Sequence, residues 1–488
     1  MDYNGILVLL VSFIVLLTIG VPVAYSIGIS GILTMLVSVE PLPAFTTFAH
    51  RMATSLDSFT LLAIPFFILA GNIMNSGGIA ARLIAFARVL AGGLPGGLLV
   101  VNIIANILFG AISGSAAASA SAIGSMMGPA LKREGYDEGF SAAVNITSAT
   151  TGLSIPPSNI LIVYSLASGG VSITALFLAG YLPGILTGLA IMFMTIGMVL
   201  WKMRGARGVL LLMSWLFGIS ALVWLYAMIF RYGVSRFGYA FGYGLLALPV
   251  VFFVLYLVRF SKHHGAKVKA LVKTFLDALP SLLMLLVLIG GIVAGFFTAT
   301  EASAIAVLYS LVLSMLYREL KWQQLPSIML NTVKTTSVVM LLIATSMALS
   351  WIMSYENIPQ NVSEVLLELT NNPFVILLII NLVLLFVGIF MDMTPAVLIF
   401  TPIFLPVVTS QFGLSPVHFG IIMVLNLSIG LCTPPVGSVL FIGCGVAKIP
   451  ITRVLKPMIP LFIAMICVLL LVTYVPQISL WLPEYFGY

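Results

Sequence analysis

Gly152-Leu-Ser-Ile-Pro-Pro-Ser-Asn159 interrupts an apolar run that covers residues 144–166. Two adjacent prolines remove two backbone donors and forbid a regular helix. Pro156 also turns Ile155 out of the α region. In hydrocarbon an open backbone costs several kcal/mol per unsatisfied group, so it survives only where protein or a water-filled cavity covers it. The device returns as Gly430-Leu-Cys-Thr-Pro-Pro-Val-Gly437. A helix broken at matching places in two halves of a chain points to a transporter binding site. The plainer reading, two proline kinks in ordinary membrane helices, requires no match beyond the prolines.

The match does extend further. Laying one double proline on the other sets an offset of 434 − 156 = 278. Without a gap, Gly110 falls on Gly388, Gly135 on Gly413 and Gly152 on Gly430. Ser113-Gly-Ser115 falls on Met391-Asp-Met393. Internal repeats fix an architecture, and identical spacing around both breaks marks one here. Charge sets the relative orientation of the two units. The loop containing Lys132, Arg133 and Glu134 has as its counterpart residues 410–416, with no Lys or Arg. Positive loops stay in the cytoplasm, so the two loops lie on opposite sides. The basic joints at 202–207, 262–273 and 318–321 then fall inside, and the acidic stretch with Glu356, Glu364 and Glu368 falls outside. This describes inverted-topology repeats.

Composition agrees. The 488 residues are 61% hydrophobic and 7% charged, which excludes a soluble globular protein and places the chain in a lipid bilayer. The net charge of +7 resides in short loops and is no nucleic-acid signal. Three cysteines and four scattered histidines give no metal spacing and no disulfide framework. No Walker loop and no catalytic constellation is present, so neither ATP hydrolysis nor enzymatic chemistry is expected. The amino-terminal run lacks a basic n-region and reads as a retained membrane segment.

The expected fold is an all-α polytopic membrane protein of two inverted-topology repeats, each with a re-entrant helical hairpin and a broken helix. The first repeat covers 1–204, with a hairpin at about 96–131 and a broken helix at about 140–168. Its opening apolar stretch, about 5–39, is too long for one crossing, and Gly20, Pro22 and Gly28 bend or divide it. An inserted helix pair and basic linker follow at 205–270, including spans near 209–230 and 237–260. The second repeat covers 271–488, with a hairpin at about 374–409 and a broken helix at about 417–449. Roughly 14 to 16 membrane segments result, counting half-helices and hairpin arms. The small residues of 110–124 serve equally as a helix-packing face or as the inner face of the first hairpin, with its tip near Ser113-Gly-Ser115.

The breaks expose carbonyls near 152–155 and 430–433. Unwound carbonyls and half-helix C-termini suit hard cations such as Na+, and half-helix N-termini suit anions. Hydroxyls of Ser113, Ser115, Ser154, Ser158, Thr394 and Thr433 are further oxygen candidates. Asp392 and Glu301 are the notable acids beside apolar runs, each readable as a functional acid or as one at a membrane edge.

At these residues the chain resembles the large membrane subunit, the dicarboxylate-type M subunit, of the TRAP (tripartite ATP-independent periplasmic) transporters. The resemblance rests on an ordered set of stretches. They are Leu56-Asp-Ser-Phe-Thr-Leu-Leu-Ala-Ile-Pro-Phe-Phe-Ile-Leu-Ala-Gly71, Ala111-Ile-Ser-Gly-Ser115, Ile155-Pro-Pro-Ser158 and Leu178-Ala-Gly-Tyr-Leu-Pro-Gly184 in the first half. In the second half they are Phe297-Thr-Ala-Thr-Glu-Ala-Ser-Ala304, Gly388-Ile-Phe-Met-Asp392 and His418-Phe-Gly420 through Thr433-Pro-Pro-Val-Gly437. The resemblance implies an elevator-type secondary transporter in the bacterial inner membrane. It implies one Na+ at Ser113, Gly114 and Ser115 with Gly152, Ser154, Ile155 and Pro156. It implies a second cation at Gly388, Asp392 and Thr394 with Gly430, Cys432 and Thr433. A carboxylate-bearing substrate would lie between the hairpin tips, against Ser115, Ser158, Asn159, Thr394 and Pro435. The implied partners are a periplasmic substrate-binding protein (P type) and a small membrane subunit (Q type). Na+ as coupling ion is the sole implied cofactor. The spans at 209–260 depart from the pattern, where only a short connection is expected. Competing readings are a standalone Na+/carboxylate symporter of similar fold, a membrane subunit of an energy-converting enzyme, and a channel-like scaffold.

Overall fold

The computed structural model describes residues 4–214 and 272–488. The inserted spans expected near 209–260 therefore lie almost wholly outside the described residues, as does the linker with His263 and His264. Eight helices among the described residues are long and apolar enough to cross a membrane. The opening stretch is divided where its glycine and proline predict. One helix ends at Thr18, Gly20 takes φ +85°, and the next starts at Val23 after Pro22.

The two halves carry the same parts in the same order. Each has a short amphipathic helix, Ile79–Ala91 or Ile358–Leu369. A hairpin follows, Gly97–Ser113 with Ala116–Arg133 or Pro373–Phe390 with Met393–Phe412. Then comes a half-helix, Glu138–Ala149 or Pro416–Gly430, that stops at the break. A second half-helix resumes as Asn159–Ala167 or Ser438–Ala447. A long helix, Ile173–Arg204 or Ile451–Tyr474, closes the unit. Glu138 and Pro416, and Ile173 and Ile451, are offset by the same 278 that relates the double prolines (416 − 138 = 278; 451 − 173 = 278).

Side-chain contacts reveal the inversion directly. The Arg453 guanidinium meets the Glu138 carboxylate at 3.5 Å. Farther along, Gly443 packs on Ile146. At the breaks, the Cys432 thiol lies 3.5 Å from the Ile146 carbonyl. Beyond them, the Tyr164 hydroxyl donates to the Pro416 carbonyl at 2.6 Å, and Gly420 accommodates the Tyr164 ring. One broken helix thus runs antiparallel to the other, with the breaks level. Each hairpin's second arm packs on the second half-helix of the other unit: Ala116–Arg133 on Ser438–Ala447, and Met393–Phe412 on Asn159–Ala167.

The remaining spans form a frame around this centre. Val23–Ser38 packs along Leu325–Tyr355, and Ala299–Leu316 packs along Ala63–Ser76. Leu325–Tyr355 and Ala63–Ser76 also meet each other, and each meets a hairpin. Glu301 belongs to this frame. Its carboxylate accepts from the Thr298 N–H at 2.7 Å and from the Thr298 hydroxyl at 2.9 Å, forming a capping box at a helix start.

Candidate functional site

Both hairpin tips are made by local rules. Gly114 sits at φ +62° and ends the first arm, and the Ser115 hydroxyl accepts from the Ala118 N–H at 3.2 Å to start the second. In the second hairpin, Met391 leaves the helix in extended conformation and Asp392 is the N-cap of Met393–Phe412. Behind each tip, a glycine of the first arm meets a glycine of the break. A Cβ on Gly152 would fall onto the Gly110 backbone, and one on Gly430 would lie 2.6 Å from the Gly388 Cα. Backbones approach this closely only where neither residue carries a side chain. Both double prolines hold a cis bond, Pro156-Pro157 and Pro434-Pro435. The Ser158 hydroxyl ties the first break by donating to the Leu153 carbonyl at 2.5 Å.

The tips converge on a cavity of about 300 Å³. Ser113, Gly114 and Ser115 line it from one hairpin and Asp392, Met393 and Thr394 from the other. Asn159 and Ser438 reach it from the starts of the second half-helices. Asp392 is exposed to this cavity. Met393 and Ser438 line the cavity with it. Asn159 carries a buried amide oxygen that has no partner. Four helix N-termini open here: Ala116–Arg133, Asn159–Ala167, Met393–Phe412 and Ser438–Ala447. Such ends present unpaired N–H groups and partial positive charge, which favour an anion.

The frame completes the wall with Asn72 and Thr335. Neither was legible in the sequence, where each is one of several polar residues on its helix and nothing singles it out. Asn72 donates to Thr332 at 2.9 Å. Gly71 lets its helix come close to the first tip, since a Cβ there would lie 3.0 Å from the Ser113 carbonyl.

The other sequence-predicted residues sit behind the cavity. Gly152, Ile155, Pro156 and Ser158 are buried in the first break, and Gly388, Gly430 and Cys432 are buried in or against the second. The Thr433 hydroxyl, in the second break, donates back to the Ile429 carbonyl of the preceding half-helix at 2.8 Å. Pro435 is exposed. Ser154 lines a different, smaller cavity between the two breaks.

An asparagine network braces the first hairpin against its broken helix. The Asn106 amide donates to Asn145 Oδ1 at 3.0 Å and to Ser148 Oγ at 2.9 Å, and its oxygen accepts from Ser119 at 2.8 Å. The second half uses Asn426, which donates to Asn381 Oδ1 at 2.8 Å. Asn106→Leu strands several buried partners, each worth about 1–3 kcal/mol. The substitution is expected to lower the unfolding temperature of the detergent-solubilised chain by several degrees, measured by intrinsic fluorescence. Unchanged thermal stability would remove the bracing role.

A family model described as the tripartite ATP-independent periplasmic transporter, DctM component, matches residues 10–478. The chain is 48% identical over 482 residues to YgiK of Salmonella typhimurium, covering 99% of this chain and 98% of that one. It is 33% identical to the C4-dicarboxylate TRAP transporter large permease protein DctM of Pseudomonas aeruginosa, across 95% of this chain and 94% of the relative. In fold it is similar to the YdaH transporter of Alcanivorax borkumensis, with a TM-score of 0.59 at 14% identity, covering 92% of this chain and 90% of that one. The family is one of transporter permease subunits, not enzymes. On a match that runs from residue 10 to residue 478, the chain belongs to the family of the DctM component, the large membrane subunit of the tripartite ATP-independent periplasmic transporters.

Proposed function

We propose that the chain is the large permease subunit through which a carboxylate-bearing organic acid enters a bacterial cell across the inner membrane, driven by a Na+ gradient. The observation that carries the reading is the cavity between the hairpin tips. Four helix N-termini suit the carboxylate, and one acid, Asp392, suits a cation beside it. The C4-dicarboxylate named for the DctM relative supports the same substrate class. Because Asn72 and Thr335 belong to the frame and the tips do not, the cavity lies at the boundary of two bodies. A hairpin body sliding along the frame would carry the substrate across, which is the elevator mechanism. A periplasmic binding protein delivers the substrate, and a small membrane subunit completes the frame.

The test is uptake of labelled C4-dicarboxylates and other organic acids into proteoliposomes holding the chain with its small subunit. Each is measured with and without an inward Na+ gradient, and with and without the cognate binding protein. Uptake that needs both Na+ and the binding protein is expected. Uptake with Na+ alone would replace the reading by a standalone symporter, and a proton gradient substituting for Na+ would overturn the coupling ion.

A further inference from the structure

We propose that a single monovalent alkali cation binds on the pseudo-two-fold axis, in the small cavity between the two breaks. This site is separate from the hairpin-tip cations of the proposed function. The cavity measures about 10 Å³, room for one water-sized sphere. The first half contributes Thr150, Thr151, Ser154 and Thr187, and the second contributes Ser428, with Leu425, Ile429 and Met465 closing the rest. Thr150 and Ser428, Thr151 and Ile429, and Thr187 and Met465 are equivalent positions of the two repeats (428 − 150 = 278; 429 − 151 = 278; 465 − 187 = 278). The cavity therefore straddles the axis that relates the halves, with the oxygens gathered mainly on one side.

The hydroxyl directions decide what fits. Thr150 donates to the Thr147 carbonyl at 2.9 Å and Thr151 to the Ser148 carbonyl at 2.6 Å. Thr187 donates to the Pro183 carbonyl at 2.8 Å and Ser428 to the Val424 carbonyl at 2.7 Å. A hydroxyl has one hydrogen, so all four offer the cavity lone pairs alone. The Ser154 hydroxyl is 1% exposed and has no partner. With no other partner, its oxygen lone pairs are free to face the cavity. The half-helices Glu138–Ala149 and Pro416–Gly430 also end beside the cavity, bringing two partially negative C-termini to it. A water there would use two of these acceptors through its two hydrogens and leave the others without a partner. A cation uses every one of these oxygens. No acid lines the cavity, which matches one charge rather than two, because divalent cations are held largely by carboxylates.

Thallium(I), a monovalent cation with strong anomalous scattering, is the probe. Crystals of the full chain soaked in thallium(I) are expected to show an anomalous peak between Thr151, Thr187 and Ser428. Thr187→Val keeps the shape, removes one oxygen and should lower that peak while leaving any peak at the hairpin tips; Thr187→Ser should restore it. In solution, NaCl and KCl are titrated against choline chloride at constant ionic strength, and the unfolding temperature is followed. Thr187→Val and, independently, Ser428→Ala should move the protective concentration up by about tenfold, whereas Thr187→Ser should not. A purely structural hydroxyl would lower the unfolding temperature without moving the titration. The salt that protects at lower concentration identifies Na+ or K+. Peaks at the hairpin tips with none between the breaks would overturn this proposal and leave the proposed function standing. A peak on the axis with none at the tips would uphold it and count against the hairpin-tip cations instead.

Discussion

Asp392→Asn is expected to abolish Na+ stimulation of uptake while leaving the chain folded and inserted. Asp392 is the one acid that lines the cavity among the described residues. A carboxylate set among apolar membrane helices is costly unless something offsets its charge. The local helix N-termini offset part of it. A Na+ bound there, as proposed, would offset the rest and in return gain a full negative charge rather than a dipole. Two unit charges about 4 Å apart interact by about 4 kcal/mol at an effective dielectric near 20. Asn keeps the shape and loses that attraction, so Na+ affinity should fall by roughly a hundredfold or more. Ser113→Ala at the other tip removes one neutral oxygen, worth about 1 kcal/mol, and should raise the Na+ requirement by less than tenfold. The measurement is initial uptake rate against Na+ concentration in proteoliposomes. Equal Na+ curves for wild type and Asp392→Asn would remove the carboxylate from cation binding.

The contrast between Asp392 and Ser113 also marks what a sequence conveys. Both tips were legible because their signals are local: a Ser-Gly-Ser turn, and an acid inside an apolar run. The breaks were legible because proline is, and the repeat because one offset relates glycines on both sides of them. Other features depend on which faces meet. Asn72 and Thr335 join the site only because two frame helices pass the tips, and nothing near either residue in the chain announces this. Ser154 reads as one more oxygen of the first break, yet it turns away from the hairpin cavity toward Thr187 and Ser428. Thr187, Ser428 and Met465, which share that cavity, come from three other helices, so no short window contains them. Glu301 reads as a notable acid, and its carboxylate serves the start of a helix.

Gly152→Ala and Gly430→Ala are expected to be severely damaging, and each worse than its partner across the contact. The order follows from which backbone the new methyl meets. A Cβ on Gly430 would lie 2.6 Å from both the Cα and the carbonyl carbon of Gly388, whereas one on Gly388 would lie 3.1 Å from the Gly430 Cα. In the first half, a Cβ on Gly152 would overlap the Gly110 Cα, whereas one on Gly110 would lie 2.9 Å from the Gly152 Cα. The obstructing atoms are backbone, so no side chain can rotate away. The hairpin must lift off the break instead. Overpacking a tight interior costs about 1–3 kcal/mol, and these sites belong at the upper end. Lifting the hairpin also shifts its tip relative to the cavity, and a 1 Å misplacement of a binding group is enough to ruin a site. Uptake by Gly152→Ala and Gly430→Ala should therefore fall by more than the loss of folded protein explains. Gly110→Ala and Gly388→Ala should retain more activity. The comparison is uptake per correctly folded molecule, with folding read by size-exclusion profile and unfolding temperature. If the hairpin glycines proved the more sensitive member of each pair, the tips would not be positioned by this contact. The same result in both halves is required, because the 278-residue offset that relates the double prolines also relates Gly110 to Gly388 and Gly152 to Gly430.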